Sequence, residues 1–249
     1  MLNNLSTIFE CSRIFALPMT IMSWLVIFTY STLASGNVKY GIVALIAVSL
    51  VHLAANILDD YFDYKTLIKQ VDFDKKEYLK NSQKTKCRYL VSGRVKERDI
   101  LILSFIYLLI ALTIGVFFYF KCGIGVFYYA LIGGLIAISY SFLSKIKLSE
   151  IAIATTYGPA LFGGIYYVMT KTYSWEVFVL SIPTAIVTVI LLYIHTVMDY
   201  QFDVNEGHNT IANSFDSPLD SLVVLKYLLI AAYLAPILLC LLDIADWQV

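Results

Sequence analysis

The chain has 249 residues, 59% of them hydrophobic and only 14% charged, with a mean hydropathy of +0.76 and a formal net charge of zero. Soluble domains carry roughly 25% charge and far less apolar sequence. The composition therefore excludes a soluble globular protein and points to an all-α, polytopic membrane helical bundle forming a single domain over 1–249. Four cysteines, Cys11, Cys87, Cys122 and Cys240, make no CxxC pair, so neither a disulfide framework nor a zinc site is expected. No nucleic-acid partner is expected either.

A bilayer core of about 30 Å needs roughly 20 apolar residues per helix. Seven segments qualify, at about 14–34, 38–58, 99–120, 122–143, 149–170, 176–197 and 219–242. The first has no basic stretch before Arg13 and is too long for a signal-peptide core, so it reads as a retained transmembrane helix. Most joints are short, such as SGNV at 35–38, KCG at 121–123 and KTYS at 171–174. Two are long, at about 59–98 and 198–218. Eleven of the eighteen lysines and arginines lie between Lys65 and Arg98. The positive-inside rule then expects the N-terminus and both long loops in the cytoplasm, in an integral protein of a bacterial inner membrane. Within the first loop, KKEYLKNSQKTKCRYL suggests a short helix or cap at the membrane surface.

The second segment ends in NILDDYFDY, residues 56–64. Asn56, Asp59, Asp60 and Asp63 stand at i, i+3, i+4 and i+7, which on a 3.6-residue helix form one stripe. The sixth segment ends in HTVMDYQFD, where His195, Asp199 and Asp203 recur every four residues, again on one face. Facing each other, five carboxylates repel: at about 4 Å and an effective dielectric near 20, each like pair costs about 4 kcal/mol. Either some are protonated or cations neutralise them. Oxygen ligands with few nitrogens and no thiolates suit Mg²⁺, which bridges carboxylates to phosphate. Asn56, Asp59, Asp60, Asp63, Asp199 and Asp203 are the expected metal ligands.

This ordered set resembles the UbiA-type superfamily of intramembrane aromatic prenyltransferases. N-x-x-D-D-x-x-D at 56–63 is similar to its first aspartate-rich motif, and DYQFD at 199–203 with Gly207 to its second. RYLVSGRV at 88–95 and Arg13 with LPMT at 17–20 are further points of likeness. YGPALFGGIYYVMT, 157–170, looks like the branch that prenylates 1,4-dihydroxy-2-naphthoate in menaquinone synthesis. The resemblance implies helices around a central cavity, and Mg²⁺-assisted ionisation of a polyprenyl diphosphate attacked by an aromatic acceptor. It implies a catalytic set of Asn56, Asp60, Asp63, Asp199 and Asp203. Arg88, Arg94 and Lys145 are candidate donors to diphosphate oxygens. Tyr140, Tyr157, Tyr166 and Tyr167 are candidates to stabilise an allylic cation by cation–π attraction, worth roughly 0.5–2 kcal/mol each, or else belong to interfacial packing.

Other residues keep two readings. Gly158-Pro159 and Gly163-Gly164 mark a kink or close approach that serves either packing or the acceptor cavity. His195 is either a partner of Asp199, and so part of the substrate site, or a packing residue. His52, one turn before Asn56, reads as a hydrogen-bonded helix contact. The sequence departs from the family pattern at Tyr89, where proline is usual, at Met198, and in the five-residue spacing of Tyr140 and Lys145. The family generally has nine helices against the seven counted, leaving either a truncated chain or a short member. Alternative activities are a terpene cyclase or prenylation of a non-quinone acceptor. From a different class comes a cation transporter, whose acidic groups sit near the membrane midplane.

Overall fold

The structure is a computed structural model that describes residues 5–70, 73–80, 87–206 and 210–242. Described elements are all helical. A short helix, α1 (Leu5–Cys11), leads through a 3-10 turn (Ile14–Ala16) into the first membrane helix, α2 (Leu17–Leu33). There follow α3 (Val38–Leu67), short α4 (Lys75–Lys80) and α5 (Arg88–Val91), then α6 (Glu97–Cys122) and α7 (Gly125–Lys145). A broken helix follows as α8 (Ser149–Thr155) and α9 (Leu161–Thr170). The chain then runs through α10 (Trp175–Met198), α11 (Tyr200–Glu206) and α12 (Pro218–Leu241). By length and apolar composition, seven of these helical stretches are able to cross a membrane, matching the expected count.

Local chemistry sets the ends. Side-chain oxygens of Asn37, Ser174 and Ser217 accept from backbone N–H groups three residues on, capping α3, α10 and α12. Pro218 follows its cap at the first helical position, where a missing N–H costs nothing. The second helix corrects the sequence expectation: it does not stop near residue 58 but runs to Leu67. At 1.5 Å per residue its 30 residues span about 45 Å, longer than a hydrocarbon core of about 30 Å. The stripe from Asn56 to Asp63 thus sits toward the C-terminal end of a continuous helix. Hydropathy ends the span where carboxylates begin; the helix continues because Asp59 and Asp60 find partners inside the protein.

α3 is the central post, packed most extensively on α6 and also on α2, α7 and α9. α12 attaches almost wholly through α10, and most of its side chains are exposed, as lipid-facing residues are. The expected helix in KKEYLK forms as α4, and with α5 it folds back over the ends of α1, α3 and α6. Cys11, Ile57, Tyr78, Cys87, Tyr89 and Val95 bury together beneath it. Residues 81–86 of this loop, like Gly207, lie outside the described residues. All four cysteines are free thiols.

The fifth span breaks where the sequence reads Gly158-Pro159. Pro159 has no N–H and its ring crowds the carbonyl four residues earlier, so residues 156–160 widen into one π-helical turn. Gly158 takes non-helical angles, φ −94° and ψ −109°. A Cβ there would lie 2.8 Å from Ala185 Cβ, and one on Gly163 2.3 Å from the Tyr129 ring. Both glycines are therefore close-approach positions.

Candidate active site

α2, α3, α6, α7, the broken α8–α9 helix, α10 and α11 enclose a cavity of about 1410 Å³. Both acidic stripes line it: Asn56, Asp59, Asp60 and Asp63 from α3, and His195, Asp199 and Asp203 from α10 and α11. The helix bends between Met198 and Tyr200, so Asp199 caps α10 while Asp203 begins a new direction on α11. Asp203 is buried and Asp199 exposed. Beyond this polar end the walls are apolar, from Ala44, Val48 and Val51 on α3 to Leu112, Phe118 and Phe127 on α6 and α7.

The α3 carboxylates are held from several directions. Asp60, only 2% exposed, pairs through Oδ1 with the Arg13 guanidinium and accepts at Oδ2 from the Tyr89 hydroxyl at 2.9 Å. Asp59 accepts at Oδ1 from Ser141 Oγ at 2.8 Å, with Arg13 Nη1 at 3.8 Å from its other oxygen. Asn56 Nδ2 donates to the Ser12 carbonyl at 3.3 Å. Arg13 reaches both aspartates because its backbone is left-handed, φ 49° and ψ 49°, between α1 and the 3-10 turn. For a non-glycine residue that costs roughly 1–2 kcal/mol, which the buried ion pair offsets. Burial and the neighbouring Asp60 carboxylate push the Tyr89 hydroxyl well above the usual tyrosine range, so it stays a proton donor.

Among the sequence-nominated basic groups, Arg88 and Lys145 line the cavity, Arg88 donating to the Leu79 carbonyl at 2.5 Å and Lys145 Nζ to Thr66 Oγ1 at 3.0 Å. Arg94 does not: it is exposed and paired with Glu10. Tyr140 and Tyr157 line the cavity. Tyr166 instead packs on Tyr30, ring centroids 6.1 Å apart, and Tyr167 donates to the Cys122 carbonyl at 3.0 Å. Both are turned from the cavity because the face of α9 that lines it carries Leu161, Gly164, Ile165 and Val168, at helical spacing from Tyr157. His52 is hydrogen-bonded as expected, to Thr20 Oγ1 at 2.6 Å and Tyr157 OH at 3.1 Å, and also lines the cavity.

The donor set suits Mg²⁺. All six candidate groups offer hard oxygens. Among the described residues no three His, Cys, Asp or Glu side chains converge closely enough to cage an ion unaided. An ion that keeps several waters and takes one or two carboxylates together with substrate phosphate fits such an arrangement. Each Asp60 oxygen already engaged by Arg13 or Tyr89 retains a second lone pair.

The sequence profile of the UbiA prenyltransferase family matches residues 16–248. The chain belongs to that family. Comparison with curated proteins gives no match. Among solved structures, this UbiA-family chain superposes on a UbiA homolog from Archaeoglobus fulgidus bound to GPP and Mg²⁺, with a TM-score of 0.73. Identity is 14%, and the match covers 94% of this chain and 78% of that one. The likeness is one of fold: an integral membrane helical bundle with the same architecture.

Sequence reasoning missed several groups in the UbiA-family site. Arg13 was noted only for its likeness to the family and Tyr89 only as a departure from it, yet both hold Asp60. Ser141, which holds Asp59, carried no signal. Tyr129 lines the cavity, and the signal that would have found it is Gly163-Gly164, against which its ring packs.

Proposed function

We propose that the protein transfers a polyprenyl group from a polyprenyl diphosphate to an aromatic acceptor, a quinone precursor for which 1,4-dihydroxy-2-naphthoate is the best-supported choice. One observation carries this reading: two acidic stripes, distant in sequence, line the polar end of a single cavity whose remaining walls are apolar. A charged headgroup with a long hydrocarbon tail fits that division. A cation transporter would place such groups near the midplane, whereas this stripe occupies the far end of an over-long helix. The A. fulgidus homolog's GPP and Mg²⁺ support a metal-held diphosphate.

In this reading Asn56, Asp59, Asp60, Asp63, Asp199 and Asp203 hold Mg²⁺, which neutralises charge on the departing diphosphate. Arg13 and Tyr89 hold Asp60 in place. Arg88 and Lys145 add donors to diphosphate oxygens. The apolar walls exclude water that would quench an allylic cation, and Tyr140 and Tyr157 offer ring faces to it. The lysine-rich loop over the polar end supports a cytoplasmic mouth.

Mass-detected transfer in membranes supplied with a polyprenyl diphosphate, the naphthoate and Mg²⁺ tests the proposal. Product formation that is lost in both Asp60→Ala and Asp199→Ala is the expected result. Turnover surviving in both variants rejects the role given to the acidic stripes.

A further inference from the structure

One turn inward from Asn56, about 6 Å along α3, His52 continues the acidic stripe into the apolar part of the cavity. Three elements meet at its ring. Buried Thr20 on α2 places Oγ1 2.6 Å from Nδ1, and Tyr157, on the π-helical turn between α8 and α9, places its hydroxyl 3.1 Å from the same nitrogen. The Tyr157 ring stands edge-on to the imidazole, centroids 5.8 Å apart and planes at 79°. One ring nitrogen offers a single donor or acceptor position, so these hydroxyls use Nδ1 fully. Nε2 has no hydrogen-bond partner among the described residues, while His52 lines the cavity. A histidine serving only as a helix contact needs its bonded side alone. This one also lines the cavity, with a second nitrogen left unbonded and able to serve a ligand there.

Resting on the prenyl-transfer reading above, we propose that His52, braced by Thr20 and Tyr157, is the binding post for the aromatic acceptor, its Nε2 hydrogen-bonded to a ring hydroxyl or carboxylate. The depth is right for the chemistry. With the diphosphate at Asn56–Asp63, the first carbons of the tail enter the cavity beside the next turn of α3. A ring anchored at that turn lies beside those carbons, and attack requires an approach of about 3–3.5 Å. Depending on which way the Nδ1 hydrogen bond runs, Nε2 is either a donor or an acceptor, so the post serves a hydroxyl or a carboxylate. The helix break is what delivers Tyr157 to it: π-helical turns recur at functional positions because they redirect side chains.

The test measures equilibrium binding of 1,4-dihydroxy-2-naphthoate to the purified full chain, alongside binding of the polyprenyl diphosphate with Mg²⁺ as a control for folding. His52→Ala and His52→Asn, which remove the Nε2 position, are expected to weaken naphthoate binding about tenfold. His52→Gln, whose amide nitrogen reaches that position, restores it, and diphosphate binding is unchanged in all three. Tyr157→Phe gives a smaller loss by loosening the ring. Unchanged naphthoate binding in His52→Ala overturns the post, and so does an equal loss of both ligands. Wild-type transfer that survives alongside either result leaves the prenyl-transfer reading standing. Conversely, His52-dependent binding of the ring in a protein that transfers nothing to it upholds the post and overturns that reading.

Discussion

The two acidic stripes line the same cavity but are built differently. On α3, Asp59 and Asp60 are buried and held by Arg13, Tyr89 and Ser141, groups drawn from three other parts of the chain. On the other side, Asp199 is exposed where α10 gives way to α11, and only Asp203, beyond the bend, is buried. The first stripe is part of the fold's own packing and the second is a rim around a bend. Removing a charge from the first is therefore expected to disturb both stability and activity, while removing the exposed Asp199 is expected to disturb chiefly activity.

That contrast is sharpest at Asp60. Asp60→Ala is expected to reduce transfer by on the order of 10²–10³ and to destabilise the protein by about 3 kcal/mol, because Arg13 loses its closer counter-charge and keeps only Asp59 at 3.8 Å. Asp199→Ala should match the loss of transfer while leaving the unfolding midpoint close to wild type. Parallel turnover and thermal unfolding measurements check the pair, and an equally destabilised Asp199→Ala breaks the comparison. Arg13→Ala should destabilise by a similar few kcal/mol, and the Arg13→Ala/Asp60→Ala double variant by less than the sum of the singles. Additive losses in that double-mutant cycle would show that the ion pair carries no coupling.

Smaller effects refine the picture. Tyr89→Phe removes a hydrogen bond to a charged acceptor, expected to cost about 1.5–3 kcal/mol. Because the native hydroxyl is held above its ordinary range, its contribution is constant below about pH 10, the unfolded value. It is lost as pH rises above that, where the unfolded chain ionises first; stability-against-pH curves for wild type and variant should converge there. Gly158→Ala, which forces a Cβ against Ala185, is expected to cost about 1–3 kcal/mol by overpacking, read as a lower unfolding midpoint. Smallest is Cys11: burial, with Glu10 and Asp60 nearby, pushes its thiol up to about 12. It should resist maleimide labelling at pH 8 in the folded protein, and fast modification there would show that α1 opens readily.

Much of the architecture was legible because it follows from local rules. Hydrophobic run length determined seven spans, since a bilayer demands about 20 apolar residues whatever the neighbours are. Helical periodicity put Asn56, Asp59, Asp60 and Asp63 on one face, and the proline rule put a break at Gly158-Pro159. Where the second helix ends was not legible. Hydropathy treats an aspartate as leaving the membrane, and only contacts with Arg13 and Ser141, far off in the chain, let α3 carry Asp59 and Asp60 onward to Leu67. Tertiary packing alone also decided which nominated side chains reach the cavity. Tyr140 and Tyr157 do, while Tyr166 and Arg94 are spent on Tyr30 and Glu10. His52 shows the division most plainly. Its place on the stripe is a matter of counting residues along one helix. That one of its nitrogens is tied while the other is left unbonded beside the cavity depends on where α2 and a broken helix come to rest.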